Sequence, residues 1–208
     1  MIDAIFLIRH GETVHNVAGI AQGWNDSALS DNGTLQVERL ATRIASLGAT
    51  ELYSSPLGRA LTTAQRLGEA AKLEVTPIDD LREMSYGKWE GRSFLDVRRE
   101  FAEDYERWIA DADHPCPEGE SHNDVLHRMQ SAFSEIESRG NGRGRRVVIV
   151  THGTAIRIGA TALLNIPVGT ARQFAVDNAS INLFIHRSER YVLKLWNDTT
   201  HCGDAFAT

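Results

Sequence analysis

Two apolar runs constrain this chain more than anything else in it. Ala4-Ile5-Phe6-Leu7-Ile8 and Val147-Val148-Ile149-Val150 show no alternation with polar residues, and each is followed by a histidine and a glycine, in Arg9-His10-Gly11 and Thr151-His152-Gly153. A run that is apolar at every position predicts a strand buried on both faces, as in a parallel sheet covered by helices. The segments between the runs supply those helices. Val37, Leu40, Ala41, Ile44 and Leu47 recur at helical steps, and so do Leu57, Ala60, Leu61, Ala64, Leu67 and Ala71. Glu51-Leu52-Tyr53 and residues 74–77 have the character of short strands. Ser55 as a cap and Pro56 at the first helical position predict a helix starting near Pro56, which puts Arg59 in its first turn. Ser121 with Asp124 has the pattern of a capping box, opening a helix that carries Val125, Met129, Ala132, Phe133 and Ile136. Residues 155–164 are expected to be helical, and residues 181–185 and 191–195 to pair as a closing hairpin.

Strands alternating with helices predict an α/β fold: a three-layer α/β/α sandwich with a mainly parallel central sheet, formed as one domain by residues 1–208. Phe94, Val97, Phe101, Tyr105 and Trp108 make a further amphipathic stripe, first of all a packing face. Residues 93–120, which contain it, are expected to form a small helical cap over the C-terminal ends of the strands.

Ligands of open parallel sheets sit at the carboxyl ends of strands, so if the two runs are neighbours, His10 and His152 share one crevice. Glycine after each histidine allows a tight turn and close approach of the backbone to a ligand. Arg9 stands beside His10, and Arg59 follows another strand end. The chain as a whole is acidic, with 28 Asp and Glu against 22 Lys and Arg and a formal net charge of −6. An anion must therefore be drawn by this local cluster, and a nucleic-acid partner held by general electrostatics is not expected. Phosphate suits the cluster, because arginine offers it two parallel hydrogen bonds and helix starts add amide donors. A neutral histidine can also attack phosphorus and carry the group covalently. The departing oxygen then needs a proton. A carboxyl beside a phosphate dianion is discouraged from ionising and can supply one. Glu83, in a turn-rich aromatic stretch, is the candidate, with Glu12 and Glu90 as rivals in sequence.

Arg9-His10-Gly11-Glu12-Thr13, Ser54-Ser55-Pro56-Leu57-Gly58-Arg59-Ala60 and Thr151-His152-Gly153, taken in this order along nearly the whole chain, resemble the histidine phosphatase superfamily, also called phosphoglycerate mutase-like. The resemblance implies that His10 becomes a phosphohistidine, that Arg9, Arg59 and His152 hold the phosphoryl group, and that Glu83 is the proton donor. It further implies substrate contacts from Thr13, Asn16, Gln22, Gly23 and Gly153, and neither metal nor other cofactor. Gly87-Lys88-Trp89-Glu90-Gly91 after Glu83, and Pro117-Glu118-Gly119-Glu120-Ser121, are similar to the phosphatase branch, and mutases of the family are usually longer. The implied activity is hydrolysis of a small phosphomonoester. The alternatives are a phosphoglycerate mutase and, further off, a phosphate-binding protein without turnover.

Other features invite less. Cys116 and Cys202 are too isolated for a disulfide framework, and the N-terminal run is too short and wrongly flanked for a signal peptide, so a cytoplasmic protein without a membrane partner is expected. His114, Cys116, His122 and His127 match no familiar zinc spacing. The basic tract at residues 139–146 reads as a solvated loop. The partner expected is a small phosphomonoester substrate, and a homodimer stays open.

Overall fold

The computed structural model describes residues 1–140, 142 and 144–203. The chain begins with β1 (Ile2–Arg9), a single-turn α1 (Val14–Val17), α2 (Asp31–Ala45), β2 (Glu51–Ser54), α3 (Gly58–Ala71) and β3 (Val75–Pro77). It continues through α4 (Phe94–Glu100), α5 (Ala102–Ala110), α6 (His122–Ser138), β4 (Arg145–Thr151) and α7 (Gly153–Leu164) to the hairpin of β5 (Ile181–Arg187) and β6 (Arg190–Asp198). The six strands lie in the order β3-β2-β4-β1-β5-β6. The first four are mutually parallel, while β5 joins β1 antiparallel and carries β6 at the edge.

The lack of alternation in the two runs has the expected cause. Successive side chains of a strand point to opposite faces. Ala4, Phe6 and Ile8 enter one core with Val37 and Leu40 of α2 and Ala64 and Leu67 of α3. Ile5 and Leu7 enter the other with Met129 of α6 and Ile156 of α7. Helices therefore cover both faces, which makes the three layers. β1 and β4 are neighbours in register, with Arg9 opposite Thr151, so His10 and His152 leave the sheet side by side.

Two expectations about helices are corrected. α3 starts at Gly58, two residues past Pro56 and with Arg59 in its first turn as expected, but Ser55 does not cap it. The Ser55 hydroxyl is engaged instead by His152 Nε2 at 2.8 Å, and the Arg59 amide is capped from another loop by Asp26 Oδ1 at 3.2 Å. The stripe from Phe94 to Trp108 is two helices, broken at Phe101 with φ −120° and ψ 38°. The break lets Phe101, Tyr105 and Trp108 converge on the fully buried Trp89, with ring centroids 6.4, 6.0 and 5.5 Å away. The capping box at Ser121 and Asp124 forms as expected.

The basic tract is more structural than a solvated loop. Arg145, 5% exposed, pairs with Glu51 at 2.6 Å and donates to the carbonyls of Ile136, Glu137 and Gly140. Arg139 pairs with Glu135. Asn141 and Arg143 of this tract lie outside the described residues, as do residues 204–208. Cys116 is fully buried in the core and His122 stacks on Trp108, so packing accounts for both. Among the described residues no helix is long and apolar enough to cross a membrane.

Candidate active site

A cavity of about 140 Å³ opens where β1 and β4 end, lined among others by Arg9, His10, Arg59 and Glu83. His10 is 2% exposed, and its Nδ1 lies 2.7 Å from the Gly11 carbonyl. A carbonyl can only accept, so Nδ1 carries the hydrogen and Nε2 keeps its lone pair. Burial pushes the His10 pKa well below the ordinary imidazole value, and the Arg59 and Arg9 charges push it further. The ring is thus neutral at pH 7, which is the form a nucleophile needs.

His152 sits edge-on to His10 with ring centroids 5.1 Å apart and is itself fully buried. It does not line the cavity in this structure. The Ser55 hydroxyl accepts from the Leu57 amide at 3.3 Å and lies 2.8 Å from His152 Nε2; where it donates to Nε2, the ring hydrogen is on Nδ1, a buried atom without a partner among the described residues. Burial, with Arg59 and His10 adding to it, holds this imidazole neutral as well.

The two arginines are anchored differently. Arg59 Nε donates to His10 Nε2 at 3.3 Å, Nη2 to the Gly23 carbonyl at 2.8 Å, and Nη1 to the Asn25 carbonyl at 2.9 Å and to Asp26. Its guanidinium is thereby held with the Nε–H edge toward the nucleophile. Arg9 donates from Nη1 to the Val176 carbonyl at 2.7 Å, while its buried Nε has no partner. Burial lowers the pKa of Arg9, and the nearby Glu83 carboxylate opposes that shift.

Glu83 is the one carboxylate among the described residues that line the cavity. Oε1 accepts from the amides of Met84 at 2.9 Å and Ala155 at 3.1 Å, and Oε2 accepts from Thr154 at 3.1 Å. Its acceptor role is thereby tied to the first turn of α7, whose free amides favour a negative group. Both rivals are occupied elsewhere. Glu90 accepts from the amides of Trp24, Asn25 and Tyr86, and Glu12 accepts from the Ser30 hydroxyl at the start of α2.

Of the expected substrate contacts, Asn16, Gln22, Gly23 and Gly153 line the cavity. The Asn16 carboxamide oxygen accepts from the Thr13 amide and from Asn178, leaving its NH₂ group as the available donor. Thr13 is the exception: it is fully buried, caps α1 and does not line the cavity. Gly11 also serves packing rather than ligand approach, since a Cβ there would come within 2.6 Å of Val37 and 2.9 Å of the Gly33 carbonyl.

Several participants were not anticipated. The Trp24 indole donates to the Glu83 carbonyl at 2.8 Å. Arg128 on α6 grips the backbone on either side of Glu83, donating to the carbonyls of Asp80, Arg82 and Glu83 and pairing with Glu120. Asp26 fixes Arg59, and Arg157 lines the cavity from α7. For Arg157 a signal existed: it follows Gly153 by four residues on a helix, and so shares its face.

The sequence profile of the histidine phosphatase superfamily (branch 1) matches residues 5–199. Phosphoserine phosphatase 1 from Hydrogenobacter thermophilus is 34% identical over 205 residues, spanning 97% of this chain and 95% of that protein. A probable phosphoglycerate mutase from Erwinia tasmaniensis is 30% identical over 207 residues, spanning 96% and 95%. Among solved structures, a mycobacterial glucosyl-3-phosphoglycerate phosphatase in complex with VO3 superposes with a TM-score of 0.85 at 31% identity, covering 94% of this chain and 99% of the other.

Proposed function

The chain belongs to the histidine phosphatase superfamily, branch 1, and from that premise we propose a phosphatase of small phosphorylated metabolites that works through a phosphohistidine on His10. The phosphatase class is that of two of the three similar proteins just described. The observation that carries the mechanism is the convergence of a neutral His10, whose Nε2 is unprotonated, with Arg59 at 3.3 Å and Glu83 in one cavity. His10 Nε2 attacks phosphorus in line with the leaving oxygen, forming the N–P bond as the P–O bond breaks. Glu83 gives its proton to that oxygen, and as a carboxylate it then takes one from the water that hydrolyses the N–P bond, which restores His10.

Charge on the equatorial oxygens is met by Arg59, Arg9 and the Asn16 NH₂ group, with His152 Nδ1–H turned to the phosphoryl group once it is on His10. A phosphoryl oxygen competes with His10 for the Arg59 N–H, so substrate binding itself frees the Nε2 lone pair. α4 and α5, with the loop to Glu120, act as a cap beside the site, and the site of action is the cytoplasm.

The mutase reading has one support, the similarity to a probable phosphoglycerate mutase. One experiment separates the two. Phosphate release from p-nitrophenyl phosphate and a panel of metabolite esters, in excess EDTA, is compared between the wild type and His10→Ala. Release that persists in EDTA and is lost in the variant is expected. Isomerisation of 3-phosphoglycerate without net release identifies the mutase, and a variant that retains the wild-type rate removes the phosphohistidine.

A further inference from the structure

Arg157 is the cation that this chemistry leaves unused. It lines the reactive cavity and also a second one of about 240 Å³ that adjoins it beneath α4 and α5. Its buried Nε has no hydrogen-bond partner, although buried arginine nitrogens are ordinarily satisfied. The second cavity is walled by aromatic side chains, among them Tyr86, Tyr105 and Trp108, and no carboxylate among the described residues lines it. At its margin Arg172 lies over the Trp108 ring at 5.6 Å and donates to the Trp108 carbonyl, and it makes no ion pair among the described residues. The space next to the scissile bond therefore carries a surplus of positive charge. Arg9 and Arg59 are committed to the phosphoryl group, and their demand is met by its two negative charges. Among the described residues Arg157 makes no ion pair, and its Nε has no hydrogen-bond partner.

We propose that Arg157 is a specificity-determining residue that binds a carboxylate carried by the leaving alcohol, so that preferred substrates are phosphates of small hydroxy acids or hydroxy amino acids rather than of neutral alcohols. The inference rests on the hydrolase reading above. A guanidinium fork matches a carboxylate with two parallel hydrogen bonds, and partial burial between the two cavities protects that pairing from screening.

The test uses matched esters. 3-Phosphoglycerate and glycerol 3-phosphate differ by one carboxylate in place of a hydroxymethyl group, and O-phosphoserine and O-phosphoethanolamine differ by a carboxylate in place of hydrogen. In the wild type, kcat/KM is expected to favour the carboxylated member of at least one pair by about tenfold to a hundredfold, the range of a charge-assisted hydrogen bond. In Arg157→Gln that ratio falls to within about threefold of one, and Arg157→Lys restores part of it, because lysine keeps the charge but loses the fork. Titration of the same esters into His10→Ala, with and without Arg157→Gln, reports the loss as binding, independent of turnover. Equal rates within both pairs, or a ratio that survives in Arg157→Gln, overturn the inference and leave the hydrolase intact. Absence of turnover for every ester, p-nitrophenyl phosphate included, overturns the hydrolase reading and this inference with it.

Discussion

Replacing Arg128 by methionine keeps the aliphatic stem and removes the guanidinium that positions Glu83. Arg128 makes five hydrogen bonds: two to the Glu120 carboxylate at 2.8 and 3.0 Å, and one each to the carbonyls of Asp80, Arg82 and Glu83 at 2.9, 2.6 and 3.0 Å. These use all five donors of the group. Both partners of the ion pair are mostly buried, with side-chain exposures of 13% and 18%. The variant strands the Glu120 carboxylate without its cation and leaves the Asp80 and Arg82 carbonyls unpaired, while the Glu83 carbonyl keeps the Trp24 indole. Removing one partner of a buried pair costs about 3–5 kcal/mol, and the residual exposure here favours the lower end, about 3 kcal/mol. Urea unfolding monitored by circular dichroism should show a lower midpoint at unchanged slope. Well below that midpoint, the folded variant should lose roughly tenfold or more in kcat with KM changed less than about threefold, since Glu83 acts in the chemical step. Adding Glu120→Gln to Arg128→Met should recover about 1 kcal/mol or more, because it removes the stranded charge. Wild-type stability together with wild-type kcat in Arg128→Met would refute the argument that this clamp sets the Glu83 loop.

Two more outcomes follow from the site. Glu83→Gln should slow hydrolysis of alkyl phosphates by roughly 10²- to 10⁴-fold, while p-nitrophenyl phosphate, whose leaving group needs no proton, should lose far less in the phosphorylation step; an equal loss on both, measured by rapid quench, contradicts a proton-donor role. Stability should also fall on acidification below pH 6.5. His122 has its pKa lowered to about 4, chiefly by burial and then by Arg172, while burial drives His10 and His152 well below 6.5. The unfolded chain takes up protons near 6.5 that the folded chain refuses, so stability held above that pH is lost as it falls, with His122 alone contributing about 3 kcal/mol by pH 4. His122→Phe, which keeps the stack on Trp108, should flatten the slope of unfolding free energy between pH 6.5 and 4 by up to about 1.4 kcal/mol per pH unit, and an unchanged slope rejects the assignment.

What was legible in the sequence was whatever a few consecutive residues determine. The non-alternating runs ending at His10 and His152 carried the parallel sheet and the crevice, because burial on both faces and the turn after a strand are local properties. The capping box at Ser121 was legible for the same reason, since both partners lie within one turn. Errors came where a distant residue intervened. Ser55 looks like a cap until His152, far along the chain, takes its hydroxyl, and Asp26 supplies the cap in its place. Thr13 is a local exception: it has the look of a ligand contact because it sits in the His10 motif, yet its hydroxyl is spent on Asn16 one turn away. The break at Phe101 was invisible because the period of the stripe continues across it; only the position of Trp89 requires the change of axis.

The same distinction separates reactive groups from the groups that make them reactive. His10, Arg59 and Glu83 stand at ends of strands and in turns, where sequence can place them, but their states are set by long-range partners. The Arg59 plane is fixed by the Gly23 and Asn25 carbonyls and by Asp26, so an arginine in a helix's first turn becomes a clamp only after the 22–26 loop folds over it. Glu83 faces the α7 amides because Arg128 and the Trp24 indole pin the peptide carbonyl next to it. Arg157 is the inverse case: a helical side chain on the same face as Gly153 whose Nε has no partner among the described residues, which is why its proposed role falls to the substrate. A pocket whose catalytic cations are all braced by protein, and whose remaining cation is not, is complete only when the bound ester brings a second negative group.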